Sequence, residues 1–235
     1  MRFGLIKQHH DFFHRHHYLE CEDLLSENEV KILKTALEET LAKRVRSSSQ
    51  HLEKINAKEL YLAGLDGWRD DSRIKKVTLR STLAEIASQL FKVRSVRIAY
   101  DQMIYASNTP QKIFDHSLTL QEMGSIQKVI GGLMLNLAAP SLPVNQEILN
   151  IQEDMTTLIP LPRSEGSGIF FSPNLPLSLD YLTEMPHISQ LLIVYTEDNA
   201  LYIHNPLDLH RHALKKMGYG FGDHLRTTTH PIIYP

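Results

Sequence analysis

Histidine is unusually frequent in this chain, which contains 13 histidines. Five of them lie between residues 9 and 17. His10 and His14 are four residues apart, so on a helix they would share one face and could take up zinc or nickel. No neighbouring residue completes a tetrahedral ligand set, and the preferred interpretation is therefore a solvated helical segment.

Cys21 is the only cysteine. A single cysteine excludes an intrachain disulfide and a four-thiolate zinc site, and it indicates a reducing, cytoplasmic setting. No histidine or basic partner for Cys21 is visible in the sequence, so a nucleophilic role is not favoured. Residues 1–10 lack the apolar core of a signal peptide, and no apolar run reaches the length of about 18 residues that spans a bilayer. We therefore expect an unsecreted protein without a membrane partner.

The charge balance also limits the kinds of partner. The 235 residues include 25 Lys and Arg against 27 Asp and Glu, which gives a pI near 6.7. This balance provides no electrostatic reason to expect nucleic acid or an anionic membrane as partner. The composition, 42% hydrophobic and 22% charged, is that of a folded globular protein, and we predict one domain over residues 1–235.

Helix signals dominate the first part of the chain. Ser26 and Glu29 have the spacing of a capping box and predict a helix over 27–43. Thr82 and Glu85 repeat that spacing and predict a second helix. Near the end of the chain, residues 209–216 are expected to form a short helix that carries two lysines in its last turn. We therefore expect residues 1–95 to be mostly helical.

Strand signals dominate from residue 96 onward. Val96, Ile98 and Tyr100 alternate with three other residues in the pattern of a half-buried strand. Frequent prolines between residues 140 and 206 exclude long helices there. The pattern therefore predicts an antiparallel β body over 96–235, with further short strands at 132–137, 169–171, 191–195 and 201–204.

Three segments resemble the phytanoyl-CoA dioxygenase-like family of Fe(II)/2-oxoglutarate oxygenases: 13–19, 24–30 and 96–103. Together they extend over roughly the first 105 residues. The resemblance implies a mainly β fold with flanking helices. Its core would be a double-stranded β-helix of the jelly-roll or cupin type, with the N-terminal helices packed outside it.

The resemblance also implies an iron site near the start of the β body. In this family a histidine and a carboxylate two residues later hold Fe(II) together with a more distant histidine, and 2-oxoglutarate binds to the open positions. The histidine that follows the strand at 96–103 is His116, but Leu118 stands two residues later, where the carboxylate is expected. Asp115 is adjacent to His116, and neighbours on an extended segment point to opposite faces.

Several residues near the end of the chain are candidates for the second half of the site. The resemblance assigns the distant iron ligand to His204, with His210 and His212 as alternatives. A basic residue in this region would hold the far carboxylate of 2-oxoglutarate, and Arg226 and Lys215 are the candidates.

The missing carboxylate favours one functional interpretation. We expect a diverged family member with an incomplete iron site: a non-catalytic or altered scaffold, without a cofactor, that binds a small molecule or a protein. Leu118 and Met134 would then help to fill the mouth of the barrel. The alternative is an active Fe(II)/2-oxoglutarate-dependent hydroxylase in which His116, Asp115 and His204 form an atypical triad. A third possibility is an α+β protein unrelated to the oxygenases.

Overall fold

A computed structural model describes residues 4–109, 111–138, 161–179, 183 and 188–235. Most of the helix content lies in the first part of the chain, as the capping and spacing patterns predict. The α-helices of the described residues are α1 (Lys7–His16), α2 (Glu27–Arg44), α3 (Ala57–Ala63), α4 (Ser72–Thr78), α5 (Ser81–Phe91), α6 (Leu120–Met123) and α7 (Ala213–Lys216). Two 3₁₀ helices span Ser49–Lys54 and Gly67–Arg69.

The strands form one antiparallel sheet in the order β1-β4-β3-β5-β2-β6. Their bounds are β1 (Tyr18–Cys21), β2 (Val96–Tyr105), β3 (Val129–Asn136), β4 (Gly168–Phe171), β5 (Ser189–Thr196) and β6 (Ile232–Tyr234). The described residues also form four isolated antiparallel bridges: Leu65 to Gln102, Leu118 to Leu177, Ile126 to Tyr202, and Leu201 to His224.

Both faces of the sheet are buried. On one face Leu191, Ile193 and Tyr195 of β5 belong to a hydrophobic cluster that includes residues of α2, α4 and α5. On the other face Leu192 and Val194 belong to a second cluster, which contains the bridged segments. Because side chains alternate along a strand, β5 serves both clusters and has no polar face.

The helix predictions had mixed outcomes. The helix expected over 27–43 is confirmed as α2, where the Glu29 N–H donates to the Ser26 hydroxyl at 3.4 Å and the Ser26 N–H donates to the Glu29 carboxylate at 3.0 Å. The cap predicted at Thr82 is wrong, because α5 begins at Ser81 with Arg80 in the cap position. The late helix is shorter than predicted, since residues before Ala213 form turns.

Strand β2 differs from its predicted pattern in a way that matters for function. Ile98 pairs with Tyr195 and Tyr100 pairs with Val194, so Ala99 is an extra residue in a β-bulge. The bulge shifts the alternation by one residue, so that Ile98 packs on the helix side and Tyr100 on the opposite side. The predicted strand is confirmed as β2, but the prediction that it is half-buried is wrong, because β2 is buried on both faces.

The remaining strand predictions are confirmed at β3, β4 and β5, whereas 201–204 contributes only bridges at Leu201 and Tyr202. The prolines at 140, 143 and 160 lie outside the described residues. Among the described helices, none has the length and apolar character needed to cross a bilayer.

Candidate functional site

The residues that the sequence proposed as iron ligands lie on the protein surface, except for His210, which lines the pocket described below. Asp115 and His116 are exposed in the loop before α6. His204 is also exposed, and its ring centroid lies 5.3 Å from that of Phe221. Within the described ranges, no three His, Cys, Asp or Glu side chains are grouped as metal ligands. These residues therefore do not converge in the way that an Fe(II) triad requires, and their role as ligands stays a prediction.

The two residues proposed to hold 2-oxoglutarate contact aromatic rings instead of facing a shared pocket. The Lys215 ammonium lies 4.5 Å from the ring centroid of Phe221. The Arg226 guanidinium lies 4.2 Å from the ring centroid of Tyr219 and donates to the Met217 carbonyl at 2.7 Å. Both contacts are cation–π pairs at the protein surface, where their net contribution is modest.

The remaining reactive residues have simple surroundings. Burial raises the pKa of Cys21 to about 12, so its thiol is protonated at neutral pH and is a poor nucleophile. The exposed His14, His16 and His17 lie in or directly after α1, which confirms the helical interpretation of that segment.

Buried polar groups converge at a different place, in a pocket between α3, β2 and the segment 205–214. The cavity volume is about 20 Å³, which is room for about one or two water molecules, and it lies within a wider space of about 400 Å³ that includes open solvent. Its lining combines aromatic, acidic and apolar side chains, and the polar members are Tyr61, Asp66, Tyr100, Gln102, Ser125, Asp208, His210 and His230. Pockets that combine apolar walls with a few buried polar groups are typical of small-molecule sites.

Gly64 allows α3 to lie directly against β2. A Cβ atom at Gly64 would fall 2.3 Å from the Met103 carbonyl oxygen and 2.4 Å from the Gln102 amide nitrogen, so only glycine fits there. This close approach lets the Gln102 amide donate to the Tyr61 carbonyl at 2.8 Å. Among the described residues, none hydrogen-bonds to the side-chain oxygen of Gln102.

The other wall is fixed to the end of α6 by Asn205. Its amide group donates to the Glu122 carbonyl at 2.7 Å and to the Gly124 carbonyl at 2.8 Å. Three residues later Asp208 turns the chain by accepting the His210 backbone N–H at 2.7 Å. The His210 ring then lies with its centroid 5.3 Å from that of Tyr61, across the pocket.

A network of buried charges lies behind the pocket. Asp66 accepts from Arg69 at 2.7 Å and from the Trp68 indole at 3.3 Å. Asp101, on the helix side of β2, accepts from the Thr78 hydroxyl at 2.8 Å and from the Trp68 backbone N–H at 3.1 Å. Burial, followed by the charge of Asp66, raises the pKa of Asp101 to about 7. Burial also raises the pKa of Asp66, although Arg69 opposes this change.

The pocket shows which functional residues the sequence analysis missed. Tyr61 and Asp208 carry no motif, Tyr100 entered only as part of the strand pattern and of the segment 96–103 that resembles the family, and Gln102 entered only as part of that segment. His210 was considered as a metal ligand, not as the wall of a pocket. One signal was available in the sequence. Tyr100 and Gln102 are polar and two residues apart, so both side chains point to the same face of β2, which is buried, and buried polar groups need hydrogen-bond partners.

Comparisons with known proteins show the fold. No family model and no curated protein matches the chain. The non-heme alpha ketoglutarate dependent carbocyclase SnoK from nogalamycin biosynthesis has a TM-score of 0.69 at 15% identity, with 97% of this chain and 96% of that chain covered. The epimerase SnoN from the same biosynthesis has a TM-score of 0.65 at 13% identity, with 97% and 98% covered. EctD from S. alaskensis with bound Fe has a TM-score of 0.58 at 14% identity, with 87% and 81% covered. The chain therefore has the jelly-roll fold of the α-ketoglutarate-dependent non-heme iron enzymes.

Proposed function

We propose that this chain is a diverged relative of the phytanoyl-CoA dioxygenase-like proteins that has become a non-catalytic scaffold and binds a small molecule in the pocket beside β2. The shared jelly-roll fold supports the kinship, while fold alone does not transfer an activity. The observation that carries the proposal is the apolar filling of the space between the sheet and the bridged segments that cover its second face.

That filling is formed by side chains from strands and bridged segments. Leu118 takes the position where the family resemblance expects a carboxylate, and it is 1% exposed. It shares one hydrophobic cluster with Met134, Phe171 and Leu192, each fully buried. A charged ligand set among these residues would lose its hydration without compensation, so the cluster favours packing over metal binding.

The pocket supports the second half of the proposal. Tyr100, Gln102 and His210 each present a buried polar atom to which no other described residue of the protein hydrogen-bonds. An unpaired buried polar atom costs about 1–3 kcal/mol, and a bound molecule that pairs with it would offset that cost. We place the protein in the reducing cytoplasm, which suits the buried thiol of Cys21.

Anaerobic titration with Fe(II) and 2-oxoglutarate tests the non-catalytic assignment. A competent site gives a weak metal-to-ligand charge-transfer absorbance in the visible region, and turnover consumes 2-oxoglutarate after air is admitted. For this chain we expect neither signal. A known 2-oxoglutarate oxygenase, assayed in parallel, confirms that the reagents are active.

The competing function is a hydroxylase that uses an atypical triad, and variants identify its ligands. An absorbance band with 2-oxoglutarate consumption that His116→Ala and His204→Ala both remove would establish the hydroxylase and overturn the proposal. A band that persists in both variants would overturn it too, with iron held by other residues. His224→Ala, which changes an exposed histidine that is not among the candidate ligands, is the matched control.

A further inference from the structure

Three aromatic rings form a row near the end of the chain, with a cation at each end of the row. The ring centroid of Tyr202 lies 4.7 Å from that of Phe221 and 6.5 Å from that of Tyr219. The Lys215 ammonium lies 4.5 Å from the centroid of Phe221. The Arg226 guanidinium lies 4.2 Å from the centroid of Tyr219. The two tyrosines are buried, whereas the phenylalanine and both cations are exposed.

The loop that carries Phe221 is held to the bridged segment at Tyr202. The Gly222 N–H donates to the Tyr202 carbonyl at 2.7 Å, and the Tyr202 N–H donates to the Asp223 carbonyl at 2.9 Å. Gly222 has a φ of +92°, which glycine adopts without strain. The His204 ring also contacts Phe221, with the centroids 5.3 Å apart. Phe221 is thus 44% exposed although its position is already fixed, and a fixed side chain loses little freedom when a partner binds.

The two cations at the ends of the row have no acidic partner in the described part of the chain. The ion pairs found there belong to other basic residues: Arg44, Arg69, Arg73, Arg80 and Arg163. Arg226 donates to a neutral acceptor, the Met217 carbonyl. The exposed carboxylate of Asp223 accepts the Gly220 N–H at 2.8 Å. Two positive charges therefore face solvent beside an exposed aromatic ring.

The charge of this segment is opposite in sign to that of the whole chain. Residues 204–226 contain four Lys and Arg and two Asp, and one of these acids, Asp208, is buried. The whole chain has a net charge of −2. Nucleic acid and an anionic membrane are negatively charged throughout, so beyond this segment they would meet a surface on which acidic residues are in excess. A protein segment can carry its acids only where the cations lie, and the charge pattern therefore favours a protein.

We propose that Lys215, Phe221 and Arg226 form a docking surface for an acidic segment of a partner protein. Acidic side chains of the segment pair with the two cations, and an apolar side chain between them packs on the phenylalanine. Aromatic residues and arginine are enriched in protein interfaces, where an aromatic anchor with a polar rim is typical. The pocket beside β2 is lined by other residues, so the docking surface is a separate site.

Fluorescence anisotropy of the whole chain with a labelled peptide tests the docking surface. The probe is a short fluorescein-labelled peptide of glutamates with one central phenylalanine. We expect it to bind with a Kd below about 0.5 mM at low salt. Binding should weaken at least about fivefold when the ionic strength rises to about 0.3 M, because exposed charges are screened. The same peptide with lysines in place of the glutamates should not bind.

Variants locate the residues that bind the peptide. Lys215→Glu replaces attraction by repulsion, and we expect it to weaken binding at least about fivefold. Phe221→Ala removes the apolar contact and should weaken binding at least about threefold. Lys31→Glu and Phe12→Ala make the same changes at exposed residues of α2 and α1, and should leave the affinity unchanged. Circular dichroism checks that each variant is folded.

Several outcomes would overturn the proposal. They are no binding of the glutamate peptide, equal binding of the lysine peptide, and an affinity that both Lys215→Glu and Phe221→Ala leave unchanged. A labelled oligodeoxythymidine and vesicles of phosphatidylserine and phosphatidylcholine in equal amounts are measured in parallel. Tighter binding of either one than of the peptide, if Lys215→Glu removes it, would also overturn the proposal, because the surface would then recognise phosphate groups.

Discussion

Arg69 and His230 are 161 residues apart in the sequence and joined in the structure, with Arg69 Nη2 at 3.2 Å from His230 Nε2. Arg69 also donates to the Thr229 carbonyl at 2.7 Å and to Asp66 at 2.7 Å. One guanidinium thus connects the 3₁₀ helix behind the pocket to the end of the chain. Since His230 lines the pocket, this connection also holds part of its wall.

Arg69→Lys tests how much this connection stabilises the fold. A lysine keeps the positive charge, but its ammonium group cannot donate at once to the three partners that the planar guanidinium of Arg69 reaches. We therefore expect the free energy of unfolding to fall by about 1–3 kcal/mol. Urea denaturation measures the change. Arg94→Lys, at an exposed arginine, should alter the value by less than about 0.5 kcal/mol. Equal effects of the two substitutions would show that the connection contributes nothing specific.

Asp101 should give the protein a measurable pH dependence. Its pKa of about 7 in the folded state lies above the ordinary value of 3.8, so the folded chain retains a proton that the unfolded chain loses. The contribution of Asp101 to stability is therefore present at about pH 4 and is lost as the pH rises through about 7.

Asp101→Asn removes this titration. We expect the stability of the variant relative to the original protein to increase by about 2 kcal/mol between about pH 5 and about pH 8. Urea denaturation at a series of pH values gives the difference directly. The same series on Asp11→Asn, at an exposed aspartate, is the control. A difference that is flat with pH would contradict the raised pKa of Asp101.

The sequence predicts local features of the fold better than it predicts the pocket. The helix α2 was predicted correctly because Ser26 and Glu29 act within a single turn. The bulge at Ala99 was not predicted. An alternating sequence pattern looks the same with or without a bulge, because only the pairing with the neighbouring strand shows which residue is inserted. Tyr61 and Asp208, which are 147 positions apart in the sequence, face the same space only after the fold forms. No periodic pattern in the sequence predicts that two residues so far apart line the same pocket.

Leu118 provides a test of the filled interior. If the enclosed space is a packed core, Leu118→Ala should cost about 2–5 kcal/mol of stability, because it leaves a cavity in the hydrophobic cluster that Leu118 shares with Met134 and Phe171. Leu118→Met conserves the volume and should cost less than about 1.5 kcal/mol. Both values come from urea denaturation.

Leu62→Ala is the matched control for this series, because Leu62 is 44% exposed and its truncation creates no cavity. A small cost of Leu118→Ala, comparable with that of Leu62→Ala, would indicate an interior open to water or to a ligand. The packing argument for a non-catalytic scaffold would then lose its support.

His230 should produce a pH dependence of the opposite sign to that of Asp101. Burial, followed by the charge of Arg69, lowers the pKa of His230 to about 3, below the ordinary value of 6.5. The unfolded chain therefore takes up a proton that the folded chain does not bind, and the stability of the original protein falls as the pH drops below about 6.5.

At neutral pH, His230→Gln should be less stable by about 1–2 kcal/mol, because the hydrogen bonds to Arg69 and Tyr219 weaken. Since glutamine does not titrate, this deficit should shrink by about 2 kcal/mol between about pH 7 and about pH 5, as measured by urea denaturation. His14→Gln, at an exposed histidine of α1, is the control and should show no such change. If the stability deficit of His230→Gln stays constant over this pH interval, then burial does not hold His230 in its neutral form.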